Sequence, residues 1–288
     1  MKTPPHSRLA RRSFRAAFTV ILGTNEIASA IAVYMHRAGW CTLLSHDPFP
    51  PVIRRRMSFH DALFGERADV DGLPGVAAET TFEAATLLSC GDCVVVTGLG
   101  LLDLIPMSAI HLLVDARMHK REAVADLRHL AGLTVGVGPG FAVGRNCDIA
   151  IETLPSKSGT ILYSGRTDAC DGKARLLGGA GAQRFVYSQT KGRWNSAIPI
   201  GTRVSAGFPA GFLDGAPVLA PLDGVVRGIV RDGVEVPAGV KLLEIDPRRH
   251  PSWTGIDERG RGIARAAVNA IAFENARRAR AATGMSVV

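Results

Sequence analysis

Three stretches of the chain carry residues whose types and spacing suit the binding of an anion. The first is the turn Gly23-Thr24-Asn25-Glu26, which follows an apolar run and precedes a helical pattern. Backbone amides at such a turn, together with the helix N-terminus, bind phosphate in nucleotide-binding proteins. The middle glycine of the usual fingerprint is replaced by Asn25, and Glu26 places a negative charge near the expected phosphate. The turn therefore predicts a nucleotide-binding unit with an incomplete fingerprint.

The second stretch is Arg54-Arg55-Arg56, just past the second predicted strand. Guanidinium groups hold phosphate or carboxylate through paired hydrogen bonds, so we predict that Arg54 and Arg55 clamp an anion. The alternative is a solvated charged surface. The third stretch, Gly138-Pro139-Gly140-Phe141, follows another predicted strand. Its glycines indicate either close backbone approach to a ligand or a tight turn.

Few other residues suggest chemistry. Asp47 lies near the end of the second predicted strand, where it either meets a ribose hydroxyl or is a loop aspartate. Cys90 and Cys93 form a single C-x-x-C motif without a second ligand pair at zinc-site spacing, so no metal site is predicted and their role is left open. We find no Tyr-x-x-x-Lys pair and no partner pattern for the histidines, and no catalytic residue is assigned.

The elements that would position these residues alternate between strands and helices. Strands are predicted at 18–22, 40–45, 94–97, 110–116, 133–137 and 147–153, with helices from the first turn to Gly39 and over 81–89. Residues 60–80 are predicted as a short helix and a loop. This alternation predicts a Rossmann-like α/β domain with a mostly parallel sheet over residues 18–157.

The residue composition of the sequence changes after residue 157. Glycine, proline and short β-branched runs predict a β-rich module over residues 158–250, with Asp-Gly turns and a spacing that resembles barrel-sandwich hammerheads. The carriers built on that fold need a lysine at an exposed hairpin tip. The tip at Asp232-Gly233 has none and Lys241 lies within a strand, so a swinging-arm role is rejected. A C-terminal helix and basic tail are predicted over residues 251–288.

Composition narrows the functional class. The chain has 288 residues, 47% of them hydrophobic, and a formal net charge of +8 that comes from its two ends. A neutral body does not predict a nucleic-acid groove, and no apolar run reaches the roughly 18 residues that span a membrane.

The predicted disordered tail, residues 1–17, contains Arg11-Arg12 and resembles an export signal. Cleavage at Ala28-Ser29-Ala30 would remove the first strand, however, and five unevenly spaced cysteines fit a reducing compartment, so we expect a cytoplasmic protein.

Several segments together resemble one family, the YqeB-like accessory or maturation proteins of selenium-dependent molybdenum hydroxylases, which are related in role to the xanthine dehydrogenase accessory factors. The similar segments occur in the expected order and cover most of residues 18–272. They are residues 20–30, Arg54-Arg55 with Ser58-Phe59, residues 114–116, residues 136–141 with Asp148 and Glu152-Thr153, Ala220-Pro221 with Asp223-Gly224, and residues 245–248.

The resemblance implies a factor that matures or inserts the molybdenum cofactor, with a hydroxylase client or a cofactor-synthesis protein as partner and a possible homo-oligomer. Its cargo would be a nucleotide or a molybdopterin dinucleotide. The alternatives are an NAD(P)-dependent oxidoreductase and a Rossmann scaffold with only protein partners. The predicted cofactor-binding residues are Gly23, Thr24, Asn25, Glu26, Asp47, Arg54, Arg55, Gly138, Pro139, Gly140 and Phe141.

Overall fold

The structure, a computed structural model, describes residues 18–119 and 123–282. The predicted tail at residues 1–17 and the end of the predicted C-terminal tail lie outside the described residues. The strands are β1 (Phe18–Leu22), β2 (Cys41–Ser45), β3 (Ala68–Val70), β4 (Leu73–Ala78), β5 (Val94–Thr97), β6 (Leu112–Asp115), β7 (Leu133–Val137), β8 (Ile149–Ile151), β9 (Ile161–Leu162), β10 (Phe185–Tyr187), β11 (Gly192–Asn195), β12 (Arg203–Val204), β13 (Pro209–Leu213), β14 (Ala216–Leu219), β15 (Gly224–Ile229), β16 (Glu235–Val236) and β17 (Lys241–Asp246).

Helices alternate with the first strands. The α-helices are α1 (Glu26–Arg37), α2 (Thr81–Cys90), α3 (Leu101–Leu104) and α4 (Glu258–Ala282), and short 3-10 helices cover Arg55–Met57, His60–Phe64, Ile105–Met107, Arg128–Leu130 and Ala182–Arg184. Within the described ranges, no helix is both long enough and apolar enough to cross a membrane.

Strands β1 to β9 form one sheet in the order β3-β4-β5-β2-β1-β6-β7-β8-β9. The seven inner strands are parallel, and β3 and β9 pair antiparallel at the two edges. The inner strands are apolar runs such as FTVIL in β1, every residue of which is buried. Burial on both faces is what a parallel sheet requires, so the predicted mostly parallel α/β sheet is confirmed.

Helices cover both faces of this sheet. On one face α1 packs against α4, and Ile27, Ile31, Ile263 and Ile271 join a single buried cluster with the strands. On the other face Leu88 of α2 and Leu104 of α3 pack in a second cluster. The predicted C-terminal helix is therefore a structural part of the α/β layer, because its apolar stripe completes the core beside α1.

Residues 60–80 differ from the prediction of a helix and a loop. A 3-10 helix is followed by the hairpin β3–β4, whose turn residues Asp71 and Gly72 have φ values of 49° and 81°. Two positive φ values define the tight turn that matches strand twist, and Asp-Gly is its usual sequence. Pro74 and Gly75 in β4 hid the strand, since both residues are disfavoured within strands. The sheet also continues beyond residue 157, because β9 pairs with β8.

The remaining strands form two four-stranded sheets, β10-β17-β15-β12 and β14-β13-β11-β16, in which neighbouring strands pair antiparallel. They enclose an apolar cluster around the fully buried Trp194. The predicted β-rich character of this part is confirmed, and the barrel-sandwich arrangement stays a prediction. A second tight turn, Asp214-Gly215, joins β13 to β14 with φ values of 47° and 82°. Asp223-Gly224 is not such a turn, since Gly224 begins β15 against the backbone of Asp246.

Candidate functional site

A cavity of about 140 Å³ lies at the carboxyl edge of the parallel sheet, between that edge and the β-rich part. Pro139, just after β7, and Glu152 and Thr153, just after β8, line it. Arg227 of β15, Lys241 of β17 and Arg259 in the first turn of α4 line it as well. Ligands of open α/β sheets bind in crevices outside the carboxyl ends of the strands, so this cavity is the candidate site.

The lining of the cavity is richer in cations than in anions. Seven basic side chains line it, namely Arg54, Lys173, Arg175, Arg184, Arg227, Lys241 and Arg259. Four acidic side chains line it, namely Glu152, Asp168, Asp171 and Asp257. Apolar side chains such as Met118, Leu177 and Phe185 complete the wall. The cavity therefore combines an electrostatic preference for anions with apolar surface.

Three of these basic side chains belong to a buried ion network around Glu244. Glu244, on β17, is fully buried. Its carboxylate accepts hydrogen bonds from Nε of Arg54 at 2.7 Å, Nε of Arg184 at 3.1 Å and Nη1 of Arg227 at 3.3 Å. Burial works to raise the pKa of Glu244, but the three guanidinium groups outweigh it and hold that pKa at about 2. Several well-placed hydrogen bonds are what a buried charge needs, and this carboxylate has them.

The two predicted arginine clamps are engaged inside the protein. Nη1 of Arg54 bonds Glu26 at 2.8 Å, while Nε and Nη2 bond Glu244. Arg55 bonds Asp61 at 2.8 Å and the Ile229 carbonyl at 3.1 Å. Both arginines thus join the α/β layer to the β-rich part. Arg54 still lines the cavity, whereas Arg55 is not among its lining residues.

The first turn is also largely occupied by internal bonds. The Asn25 side-chain oxygen accepts from the amides of Ile27 and Ala28, and its Nδ2 donates to the Ala116 carbonyl at 2.7 Å. A side chain on Gly23 would meet that same carbonyl at 3.1 Å, which explains the glycine at φ 103°. Asn25 therefore caps the helix itself, so two amides that a phosphate would use are already bonded. A ligand role for the turn stays a prediction.

Thr24 connects two histidines that the sequence did not single out. Its Oγ1 lies 3.0 Å from Nδ1 of both His46 and His60. Burial, followed by His46, Arg55 and Arg231, lowers the pKa of His60 to about 3, and burial lowers the pKa of His46 as well. Both rings are therefore neutral at pH 7. Thr24 and His60 are buried, and this cluster lies outside the cavity lining.

Asp47 lies at the same edge of the sheet, outside the cavity lining. Its Oδ2 is 3.2 Å from Nε2 of His119 and 3.7 Å from Nη1 of Arg117, and its Oδ1 accepts from the Phe49 amide. Arg117 makes its closer bonds to Asp115, at 2.7 Å and 3.0 Å. Asp47 is thus fixed in a polar cluster after β2, whereas the cavity lies beside β7 and β8, on the other side of β1 in the sheet. Its contact with a ribose stays a prediction.

The glycine-rich stretch is divided between the site and the core. Pro139 lines the cavity, and Gly138 has φ 100° beside Met118. Phe141 is 5% exposed, and its ring lies over Gly136, where a side chain would collide with it. Phe141 therefore packs in a small cluster with Cys147 and Ala150. Of the eleven predicted binding residues, Arg54 and Pro139 line the cavity.

The cysteines are all free thiols. Cys90 is exposed and Cys93 buried, and burial, with Asp92 and Cys90 close by, raises the pKa of Cys93 to about 11. A thiol in that state is a poor nucleophile and a poor metal ligand. Across residues 18–119 and 123–282, no group of three or more His, Cys, Asp or Glu side chains is arranged to hold a metal ion.

The fold and site together define a mixed α/β protein with a cation-rich cavity at its sheet edge. No protein-family model matches the chain. The chain is 29% identical over 248 residues to the uncharacterized protein YqeB of Escherichia coli strain K12, a similarity that covers 85% of this chain and 45% of YqeB. This similarity supports the YqeB-like resemblance. The chain spans less than half the length of that relative.

Two solved structures show only a distant likeness. One is the apo ectoine utilization protein EutE (DoeB) from Ruegeria pomeroyi, at 14% identity and a TM-score of 0.25 over 81% of this chain and 87% of that one. The other is a succinylglutamate desuccinylase/aspartoacylase from Rhodobacter sphaeroides, at 15% identity and a TM-score of 0.25 over 82% and 87%. Scores this low carry no argument about fold or function.

Proposed function

We propose that this protein is a cytoplasmic accessory factor that matures or inserts the molybdenum cofactor of molybdenum hydroxylases. In this proposal it binds a nucleotide or a pterin dinucleotide in the cavity at the sheet edge. The observation that carries the proposal is the charge of the lining, which contains seven basic and four acidic side chains where the parallel strands end. The resemblance to the YqeB-like accessory proteins supplies the molybdenum context.

The chemistry of a dinucleotide suits both parts of the lining. Its diphosphate is anionic and favours a cation-rich wall. Its rings favour apolar surface of the kind that Met118, Leu177 and Phe185 provide. Glu26, which would repel a phosphate if it were free, is paired with Arg54 at 2.8 Å. This ion pair offsets the negative charge that Glu26 would otherwise present to an anionic ligand.

The acidic groups of the lining favour holding a cargo over transforming it. Glu152 accepts bonds from the amides of Thr153, Leu154 and Asp168. Asp257 accepts from Arg227, and Asp168 accepts from Lys157. A general acid or base needs an oxygen that reaches its substrate, and these three carboxylates already bond donors of the protein itself. We accordingly propose a carrier or insertion role with a hydroxylase or cofactor-synthesis partner.

Calorimetric titration tests the proposal. The purified protein is titrated with cytosine and adenine dinucleotides, with molybdopterin cytosine dinucleotide and with NAD⁺. We expect binding of the pterin dinucleotide, weakened in a Lys173→Gln variant because this exposed lysine lines the cavity. The matched control is Lys191→Gln, an exposed lysine outside the lining. An absence of heat with every dinucleotide would contradict the proposal, and selective binding of NAD⁺ with turnover of a substrate panel would favour the oxidoreductase.

A further inference from the structure

We propose that Arg259, in the first turn of α4, is the residue that binds the phosphate or diphosphate group of the ligand. This inference rests on the proposed function and assigns its anion contact. Among the described residues, Nε of Arg259 is buried and lacks a hydrogen-bond partner. Arg259 also lines the cavity. A buried donor left unbonded is unfavourable, so a group that accepts from it gains that bond at little desolvation penalty to the protein.

The guanidinium of Arg259 is held in place from one side. Its Nη2 donates to the Thr153 carbonyl at 3.1 Å, immediately after β8. That bond fixes the planar group against the sheet edge, while Nε has no acceptor of its own in the described part of the chain. A preorganised guanidinium loses little conformational freedom when a phosphate oxygen binds, and its fork suits the spacing of phosphate oxygens.

Arg259 differs from the other deeply placed arginines of the lining. Arg54, Arg184 and Arg227 each bond the Glu244 carboxylate. Arg259 makes no ion pair within 4.0 Å with a described carboxylate, and its one side-chain bond is to a carbonyl. Burial lowers its pKa, as do Arg54 and Arg175, while Glu26 and Asp257 act in the opposite direction. The cavity thus contains a cation whose charge is not matched by a direct partner.

An anion offers what this position lacks, and a phosphate suits it better than a single carboxylate. The neighbouring Lys173 and Arg175 add positive charge at the mouth of the cavity, where both are exposed. A doubly charged group is favoured by several cations at once. The inference also changes the position of the site, since it moves the anion contact from the turn after β1 to the first turn of α4.

The test uses inorganic diphosphate as the probe, with malonate as a dicarboxylate comparison. The variants are Arg259→Gln and Arg259→Lys, with Arg261→Gln as a matched control. Arg261 lies on the same helix, its side chain is 52% exposed, and it is not part of the lining. We expect wild type and Arg261→Gln to bind diphosphate equally. Arg259→Gln should weaken diphosphate binding roughly tenfold to a hundredfold, as charged hydrogen bonds do, and Arg259→Lys should lie between.

Thermal unfolding without ligand separates a binding role from a structural one. A ligand-binding arginine with an unmatched charge should leave the Tm of Arg259→Gln unchanged or higher, whereas a structural arginine should lower it. If Arg259→Gln does not fold, the inference is contradicted in favour of a structural role. Arg259→Lys then provides a second check, because equal diphosphate binding by it and by wild type would also overturn the inference.

The outcomes distinguish this inference from the proposed function. Undiminished diphosphate binding by Arg259→Gln overturns the inference, and the proposed function stands if wild type still binds the pterin dinucleotide. Diphosphate binding that depends on Arg259, with no binding of any dinucleotide, supports the inference and contradicts the proposed function. Tighter binding of malonate than of diphosphate overturns the phosphate assignment. Failure of wild type to bind diphosphate or dinucleotide contradicts both.

Discussion

Arg54 and Glu244 lie 190 positions apart in the sequence, and two hydrogen bonds of 2.7 Å and 3.1 Å join their side chains. One residue follows β2 of the α/β sheet and the other belongs to β17 of the β-rich part. This contact links the two halves beneath the cavity. The cavity therefore depends on an ion pair that no local pattern in the sequence could indicate.

The first prediction concerns the stability of that link. Arg54→Ala should lower the free energy of unfolding by about 3–5 kcal/mol, because it leaves a buried carboxylate without its closest partner. Arg56→Ala is the matched control, since Arg56 is exposed in the same run, and it should change stability by less than about 0.5 kcal/mol. Urea denaturation measures both. Equal midpoints for the two variants would contradict the assigned role of Arg54.

The second prediction concerns acid stability. The pKa of His60 is about 3 in the fold and 6.5 when unfolded, so the unfolded chain binds a proton that the folded protein does not. The contribution of His60 to stability should be constant above pH 6.5 and fall between pH 6.5 and about 3, by up to ~1.4 kcal/mol per pH unit. Glu244, with its pKa lowered to about 2, contributes stability above pH 4.5 that is lost as pH falls towards 2.

Urea denaturation at a series of pH values checks the histidine part of this prediction. His60→Gln should lose less stability than wild type between pH 6.5 and 4.5, because the titrating group is removed. His250→Gln serves as the control, since His250 is exposed. A wild-type curve that stays flat across this interval would mean that His60 is protonated in the fold.

The third prediction concerns the cavity loop, residues 163–181, which joins β9 to the 3-10 helix at 182–184. Seven of the lining residues lie in this loop, and its backbone pairing is restricted to isolated bridges. The ion pairs Lys157–Asp168 and Arg175–Glu258 connect the interior of this loop to neighbouring segments through partly or largely exposed side chains. Salt screens exposed pairs, so raising sodium chloride from 0.05 M to 0.5 M should speed amide exchange in this loop a few-fold.

Hydrogen-exchange mass spectrometry checks the loop prediction. Peptides from β1 and β7 serve as internal controls and should show no salt response, because their residues are buried. Arg175→Gln should reproduce part of the salt effect at low ionic strength. Identical exchange of the loop at both salt concentrations would show that it is held by contacts other than these pairs.

The fourth prediction concerns the packing of the Phe141 ring against Gly136. Gly136→Ala should destabilise the protein by about 1–3 kcal/mol, because the new methyl group collides with the Phe141 ring. Gly136→Ala combined with Phe141→Ala should be less destabilised than the two single effects together, since the collision disappears. Gly262→Ala is the control. It has open space within α4 and should be neutral or stabilising.

The sequence predicted the layers of the fold better than it predicted the site. Strand β1 and helix α1 follow directly from an apolar run and helical spacing, and the structure has both. The hairpin at Asp71-Gly72 was missed because Pro74 and Gly75 concealed a strand, although Asp-Gly is a strong hairpin signal. Local sequence patterns therefore predicted those elements whose burial and periodicity can be read from their own residues.

The site could not be predicted in the same way because its residues meet only in the folded chain. Arg54 was predicted to clamp an anion, and the structure pairs its guanidinium with Glu26 and Glu244, neither of which the sequence indicated as a partner. The one local signal was Glu244, a charged residue between Leu243 and Ile245, and it did not indicate Arg54 as its partner. Arg259 gave no signal, since an arginine in the first turn of a long helix is usually solvated.

The most direct test of the central claim is the position of a bound diphosphate. Crystals of the wild-type protein soaked with cytidine diphosphate should show its phosphate groups within hydrogen-bond distance of Nε of Arg259, in the cavity beside Pro139. Soaks of Arg259→Gln crystals should show no phosphate there. Density for the diphosphate at the turn Gly23-Thr24-Asn25, with the cavity unchanged, would contradict the account and restore the site expected from the sequence.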